Sequence, residues 1–95
     1  MIRVIATLQA REGHTQSVKD ALVSLVAPTR READCVSYEL AQSEDAPEEF
    51  VTVEEWRSAE GLAAHMKTAH VLSALLKAAP LLAAAPQIKK YQKVE

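Results

Sequence analysis

Glu54, Trp56 and His65 are the residues whose types and spacing could do chemistry. Phe50, Thr52, Glu54 and Trp56 occupy alternate positions, so in an extended strand their side chains share one face. That face then carries a carboxylate beside the only tryptophan and the only phenylalanine of the chain. Inside a helical pattern nine residues beyond Trp56 stands His65. A neutral imidazole can take a proton from a phenol or an acidic carbon, and a neighbouring carboxylate orients it and stabilises its cation. His65 is therefore the candidate base, and Glu54 its candidate orienter or a binder of a substrate hydroxyl. Trp56 and Phe50 are candidates to face a flat substrate. Tyr38 is a candidate phenol donor, and His70, which opens the next helix, a candidate substrate contact. The competing expectation for each is structural: a core aromatic, or a histidine hydrogen-bonded to Glu54 that joins a helix to the sheet.

No metal site is expected. His65 and His70 are five residues apart, about 140° around a continuous helix at ~100° per residue, and so would not share a face. The single cysteine, Cys35, belongs to no ligand spacing and excludes an intramolecular disulfide. Nothing implies a cofactor. The net charge of −2 and pI of about 5.9 offer no basic stripe for nucleic acid or an anionic membrane. The N-terminus enters alternation at once, with no signal-peptide pattern, and no window reaches the ~18 apolar residues of a membrane span. The expected location is cytoplasmic.

The elements that must position these residues can be read in order. With 95 residues the chain is one domain, residues 1–95. Residues 2–10 alternate as a half-buried strand, with Ile2, Val4, Ala6, Leu8 and Ala10 on one face. A turn at 11–14 leads to Thr15 as expected N-cap. A helix then carries Val18, Ala21, Leu22, Leu25, Val26 and Thr29 at helical spacing, and Pro28 should kink or end it. Strands are expected at 35–41, 49–57 and 87–94. The last has Ile88, Tyr91 and Val94 out of alternation, which suggests a bulge or burial on both faces. Ser58 and Thr68 read as N-caps of two helices, the second with an apolar stripe of Val71, Leu72, Leu75 and Leu76. Leu22, Leu25, Leu72 and Leu75 are the expected core leucines. The order β-α-β-β-α-(α)-β is the ferredoxin-like split βαβ arrangement, an α+β fold with helices on one face of an antiparallel sheet.

Three stretches resemble the antibiotic biosynthesis monooxygenase domain family, whose members include quinol monooxygenase-like proteins. Thr29-Arg-Arg-Glu32-Ala-Asp34-Cys35-Val-Ser-Tyr38-Glu39 is similar to the family's Thr-Arg-x-Glu-Pro-Gly-Cys-x-x-Tyr-Glu segment. Phe50-x-x-x-Glu54-x-Trp56 is similar to its third strand, and Leu62-Ala-Ala-His65-Met-Lys-Thr-Ala-His70 to its histidine-bearing helix. Two positions depart from the pattern. Ala33-Asp34 replaces the usual Pro-Gly turn, and Ala6 stands where the heme-degrading branch has asparagine.

The resemblance implies a cofactor-free monooxygenase that oxidises a hydroquinone or polyketide-like aromatic with molecular oxygen. His65 would be its base, Glu54 the orienter and Trp56 a wall. An isomerase or other proton-transfer enzyme could use the same base without oxygen. A non-catalytic stress-response module that binds a small molecule is the third expectation, since one scaffold hosts several functions. A homodimer is also expected. The uncovered sheet face should carry Ile5, Cys35, Val51 and Val53 beside Arg3, Thr7, Ser37 and Glu55, a mixture suited to a subunit interface. The resemblance implies that two such sheets pair into a dimeric α+β barrel.

Overall fold

The computed structural model describes residues 1–95. Its elements are β1 (Ile2–Gln9), α1 (Thr15–Arg30), β2 (Cys35–Gln42), β3 (Glu49–Trp56), α2 (Ala59–His65), α3 (Ala69–Ala78) and β4 (Gln87–Gln92), with a 3₁₀ turn at Ala79–Leu81. The sheet order is β2-β3-β1-β4, and every neighbouring pair is antiparallel. β1 and β2 are thus parallel strands split by β3, which is the ferredoxin-like α+β arrangement.

Alternation decides which face of the sheet is covered. Val4, Ala6 and Leu8 of β1 are buried with Phe50, Thr52, Glu54 and Trp56 of β3. In register they stand opposite one another: Leu8 faces Phe50, Ala6 faces Thr52 and Val4 faces Glu54. Val18, Leu22 and Leu25 of α1 close over them, with Leu62 of α2 and Val71 and Ala74 of α3. At about 25 cal/mol per Å² of apolar surface, each fully buried large side chain stabilises the fold by about 1.5–3 kcal/mol. Trp56 and Phe50 are the largest side chains sealed in this layer.

Several expectations need correction. Thr15 does not cap α1. It is the first helical residue, and His14 precedes it with no side-chain cap. The helix does end close to Pro28, as expected: α1 stops two residues further on, at Arg30. The last turn then closes through Arg31 N–H to the Pro28 carbonyl and Glu32 N–H to the Thr29 carbonyl. Ser58 and Thr68 do cap α2 and α3, each accepting from the backbone N–H three residues on.

β4 pairs with β1 without a bulge, ends at Gln92, and is exposed along its length. The irregularity lies in β2, between Cys35 and Ser37. It has a consequence for Cys35. That residue sits opposite Trp56 and packs against the core, so it is not on the uncovered face. Leu72 was expected in the core, yet it is 51% exposed, and Leu76 is 80% exposed. The buried stripe of α3 is Val71, Ala74 and Ala78, with Leu75 partly buried. Helical periodicity fitted two neighbouring stripes of this leucine-rich segment. The smaller residues win because α3 packs closely against α1, where Ala74 and Ala78 allow a near approach.

Candidate active site

A cavity of about 390 Å³ opens between the inner sheet face and the helices. This volume is in the range of small-molecule sites. Its lining is mostly apolar, including Leu8, Leu22, Leu25, Met66 and Ile88. Four polar side chains face it: Tyr38 from β2, Thr52 and Glu54 from β3, and His65 from the end of α2. An apolar space with a few convergent polar groups binds a small molecule and fixes its orientation.

Glu54 is only 4% exposed. A buried carboxylate must be hydrogen-bonded to be tolerated, and both its oxygens are. Thr52 Oγ1 donates to one at 2.7 Å, and the indole Nε1–H of Trp56 donates to the other at 2.9 Å. All three residues lie on one strand at i and i±2, so the strand's own alternation builds this network. Glu54 makes no hydrogen bond to His65.

His65 is instead held by Glu32. Its Nδ1 lies 2.7 Å from Glu32 Oε2, which makes Nδ1–H the donor to the carboxylate. Nε2 is then the lone-pair nitrogen left for a molecule in the cavity. The ring packs against Trp56, with centroids 4.6 Å apart and planes at 43°, and lies 5.9 Å from the Tyr38 ring. His70 Nε2 lies 2.8 Å from the same Glu32 oxygen. On one continuous helix His65 and His70 would not share a face, contrary to their meeting at Glu32. The chain breaks between α2 and α3. Thr68 Oγ1 donates to the His65 carbonyl and accepts from Val71 N–H, and this corner turns both imidazoles toward Glu32.

The sequence-stated candidates therefore separate. Glu54, His65 and Tyr38 face the cavity. Trp56 and Phe50 are sealed behind its wall, Trp56 holding Glu54 and supporting His65. His70 stands outside the lining and bonds to Glu32. Glu32 was missed, although it lies in the stretch that carries the family resemblance. Its pairing spans 33 residues to His65 and 38 to His70, beyond any local pattern.

Burial pushes the Tyr38 phenol well above its ordinary value, with the Glu54 charge adding to the effect. Tyr38 is therefore a neutral donor or acceptor at physiological pH. Burial also raises the Cys35 thiol, and the Glu32 and Glu54 carboxylates reinforce it. A thiol held protonated is a poor nucleophile.

The helix corner is tightly constrained. Ser58 Oγ donates to Asp34 Oδ2 and accepts from Gly61 N–H. A Cβ at Gly61 would collide with the Asp34 side chain. Gly61 thus lets α2 dock on the turn that carries Glu32, bringing His65 within reach.

The antiparallel split-βαβ fold is shared with known proteins. The antibiotic biosynthesis monooxygenase family model matches residues 1–75, and the chain belongs to that family. It is 31% identical over 81 residues to the Escherichia coli protein named "Probable quinol monooxygenase YgiN", covering 75% of this chain and 78% of that one. Among solved structures it is similar to PA3566 from Pseudomonas aeruginosa, at 32% identity and TM-score 0.94 over 99% of this chain and 94% of that chain. Rv0793 from Mycobacterium tuberculosis is similar at 28% identity and TM-score 0.93, over 99% and 95% of the respective chains.

Proposed function

We propose that this protein is a cofactor-independent monooxygenase acting on an electron-rich aromatic of the hydroquinone or polyketide type. The observation that carries the reading is the Glu32–His65 pair, which presents an oriented imidazole to an apolar cavity. His65 Nε2 takes the proton of a phenol or enol, and Glu32 stabilises the imidazolium. The resulting anion passes one electron to oxygen, giving superoxide and a substrate radical. These combine at a carbon bearing hydrogen, and the peroxide anion takes back the proton held on His65 to give a hydroperoxide. Loss of water from the hydroperoxide leaves one oxygen on the substrate and releases the other in the water. Glu54, fixed by Thr52 and Trp56, accepts a second substrate hydroxyl, and neutral Tyr38 contributes another hydrogen bond. The quinol reading is supported by the name of the Escherichia coli relative.

The functional unit we propose is a homodimer. The uncovered sheet face presents Ile5, Val51 and partly exposed Val53 beside Arg3 and Glu55, which form an ion pair. Tyr91 of β4 stands opposite Arg3 on that face. Such a surface suits pairing with a second copy. No helix is long and apolar enough to cross a membrane.

The test is oxygen uptake with a panel of hydroquinones, run with an anaerobic control. Turnover should require oxygen, and His65→Ala should slow it by about 10²–10⁴-fold, the usual worth of a general base. Equal rates in His65→Ala would overturn the assignment of the base. Undiminished anaerobic turnover would point to an isomerase.

A further inference from the structure

We propose that Glu32, His65 and His70 form a binding site for a divalent late first-row transition ion of the zinc class, and that filling it switches the base off. The second half rests on the function proposed above; the first does not.

The site is defined by three ligand atoms, His65 Nδ1, His70 Nε2 and a Glu32 carboxylate oxygen, all within 4.8 Å of one another. Two imidazoles and one carboxylate are a donor set that suits such ions. Metal–ligand bonds of about 2.0–2.2 Å put tetrahedral ligand atoms about 3.3–3.6 Å apart. Both histidine nitrogens already lie 2.7 and 2.8 Å from one Glu32 oxygen. The ion is accommodated by a swing of that carboxylate away from the rings and an adjustment of the two imidazole nitrogens, now within 4.8 Å of each other, to the tetrahedral spacing. Glu32 sits in the turn between α1 and β2, and its side chain bonds to nothing but the two imidazoles.

The charge balance also points to a cation. Glu32 is largely buried, its side chain 15% exposed, and no lysine or arginine pairs with it. Two imidazoles are its only side-chain partners. A carboxylate so placed is best satisfied by positive charge between it and the rings. The histidines are held for the purpose, since Thr68 ties the end of α2 to the start of α3. The His70 side chain, 24% exposed, gives an ion access from solvent.

Occupation has a chemical consequence for His65. In the metal-free triad Nδ1 carries the proton and Nε2 the lone pair. An ion binds through a lone pair on Nδ1, so the neutral ring must then carry its proton on Nε2. Nε2 becomes a donor and can no longer accept a proton from substrate.

The experiment is titration of chelator-treated protein with Co²⁺, read by visible d–d absorption, and with Zn²⁺, read by imidazole ¹⁵N shifts. One ion per chain is expected, with Nδ1-type shifts at His65 and Nε2-type shifts at His70. Loss of an outer partner alone weakens metal sites about 10–100-fold, so His70→Ala and Glu32→Gln should weaken binding at least about tenfold. His14→Ala, which removes the only other histidine, should leave it unchanged. The ¹⁵N readout on the unaltered chain decides the matter if a variant unfolds. Absence of both signals, or binding undiminished in His70→Ala and Glu32→Gln, would overturn the site. Zn²⁺ should also abolish hydroquinone-dependent oxygen uptake in the unaltered chain and spare His70→Ala at the same concentration. Zn²⁺ seated on His65 Nδ1 with turnover intact would uphold the site and overturn the switch. A chain that binds the ion but turns over no hydroquinone at all would count against the proposed function and not against the site.

Discussion

Two carboxylates of this molecule, buried Glu54 and half-buried Glu32, are held in opposite ways. Glu54 lies in β3, and its partners Thr52 and Trp56 are two residues away on either side. Glu32 lies in a turn, and its partners arrive from the ends of two helices more than thirty residues on. The first network follows from strand alternation and moves only if the strand moves. The second exists only when α2 and α3 have docked. A network of neutral donors within one strand makes a fixed acceptor. A network of titratable rings on separate elements makes a group that can pass protons or exchange them for a cation.

The sharpest way to break this contrast is at Trp56. Trp56→Ala removes the largest sealed side chain and leaves one Glu54 oxygen without its donor. A loss of about 3–5 kcal/mol is expected in chemical denaturation. Glu32→Gln should cost far less stability, because the amide fills the same space and its oxygen can accept from His65, while still impairing turnover, because it carries no charge to stabilise the imidazolium. Equal stability losses in the two variants would erase the distinction drawn here.

Leu22→Ala should cost about 2–5 kcal/mol, since its side chain is buried against the cavity wall. Leu72→Ala, on the outside of α3, should fall within about 0.5 kcal/mol of the unaltered chain. Leu72→Ala thereby tests which stripe of α3 is buried, with Leu22→Ala of α1 as the buried reference. Between these extremes, Thr68→Ala removes the α3 cap and should cost about 0.5–2 kcal/mol. Its effect on turnover should exceed that of Ser58→Ala, because Thr68 also fixes the carbonyl of His65.

A smaller effect separates Tyr38 by pH. Its phenol is raised above the ordinary value of about 10. The folded state therefore holds this proton more tightly than the unfolded chain. The stability it contributes is complete below pH ~10 and declines as pH rises from there toward the folded value. Alkaline absorbance titration of Tyr91→Phe, in which Tyr38 is the only tyrosine left, should show ionisation delayed above pH ~10. Normal ionisation there would mean that Tyr38 is more solvated than its place beside Glu54 allows.

The sequence by itself determined the order of elements and the inner face of β3. Period-two alternation admits one reading when Phe50, Thr52, Glu54 and Trp56 stand together, and a shift of one residue would bury Val51, Val53 and Glu55 instead. The caps at Ser58 and Thr68 were legible because their partners are three residues away. Of the candidate site, Glu54, His65 and Tyr38 could be named from type and spacing. Their connections could not. Trp56 and Phe50 were placed on the correct face but one layer too close to the cavity, because alternation gives a face and not a depth. The bulge that turns Cys35 inward and the choice between Leu72 and Ala74 as the buried residue of α3 were settled by packing between elements. The pairing of His65 with Glu32 depended on a bend at Thr68 and on Gly61 admitting Asp34. Local periodicity acts through neighbours along the chain and can be read from it. The triad depends on where three separate elements meet, and only the tertiary structure decides that.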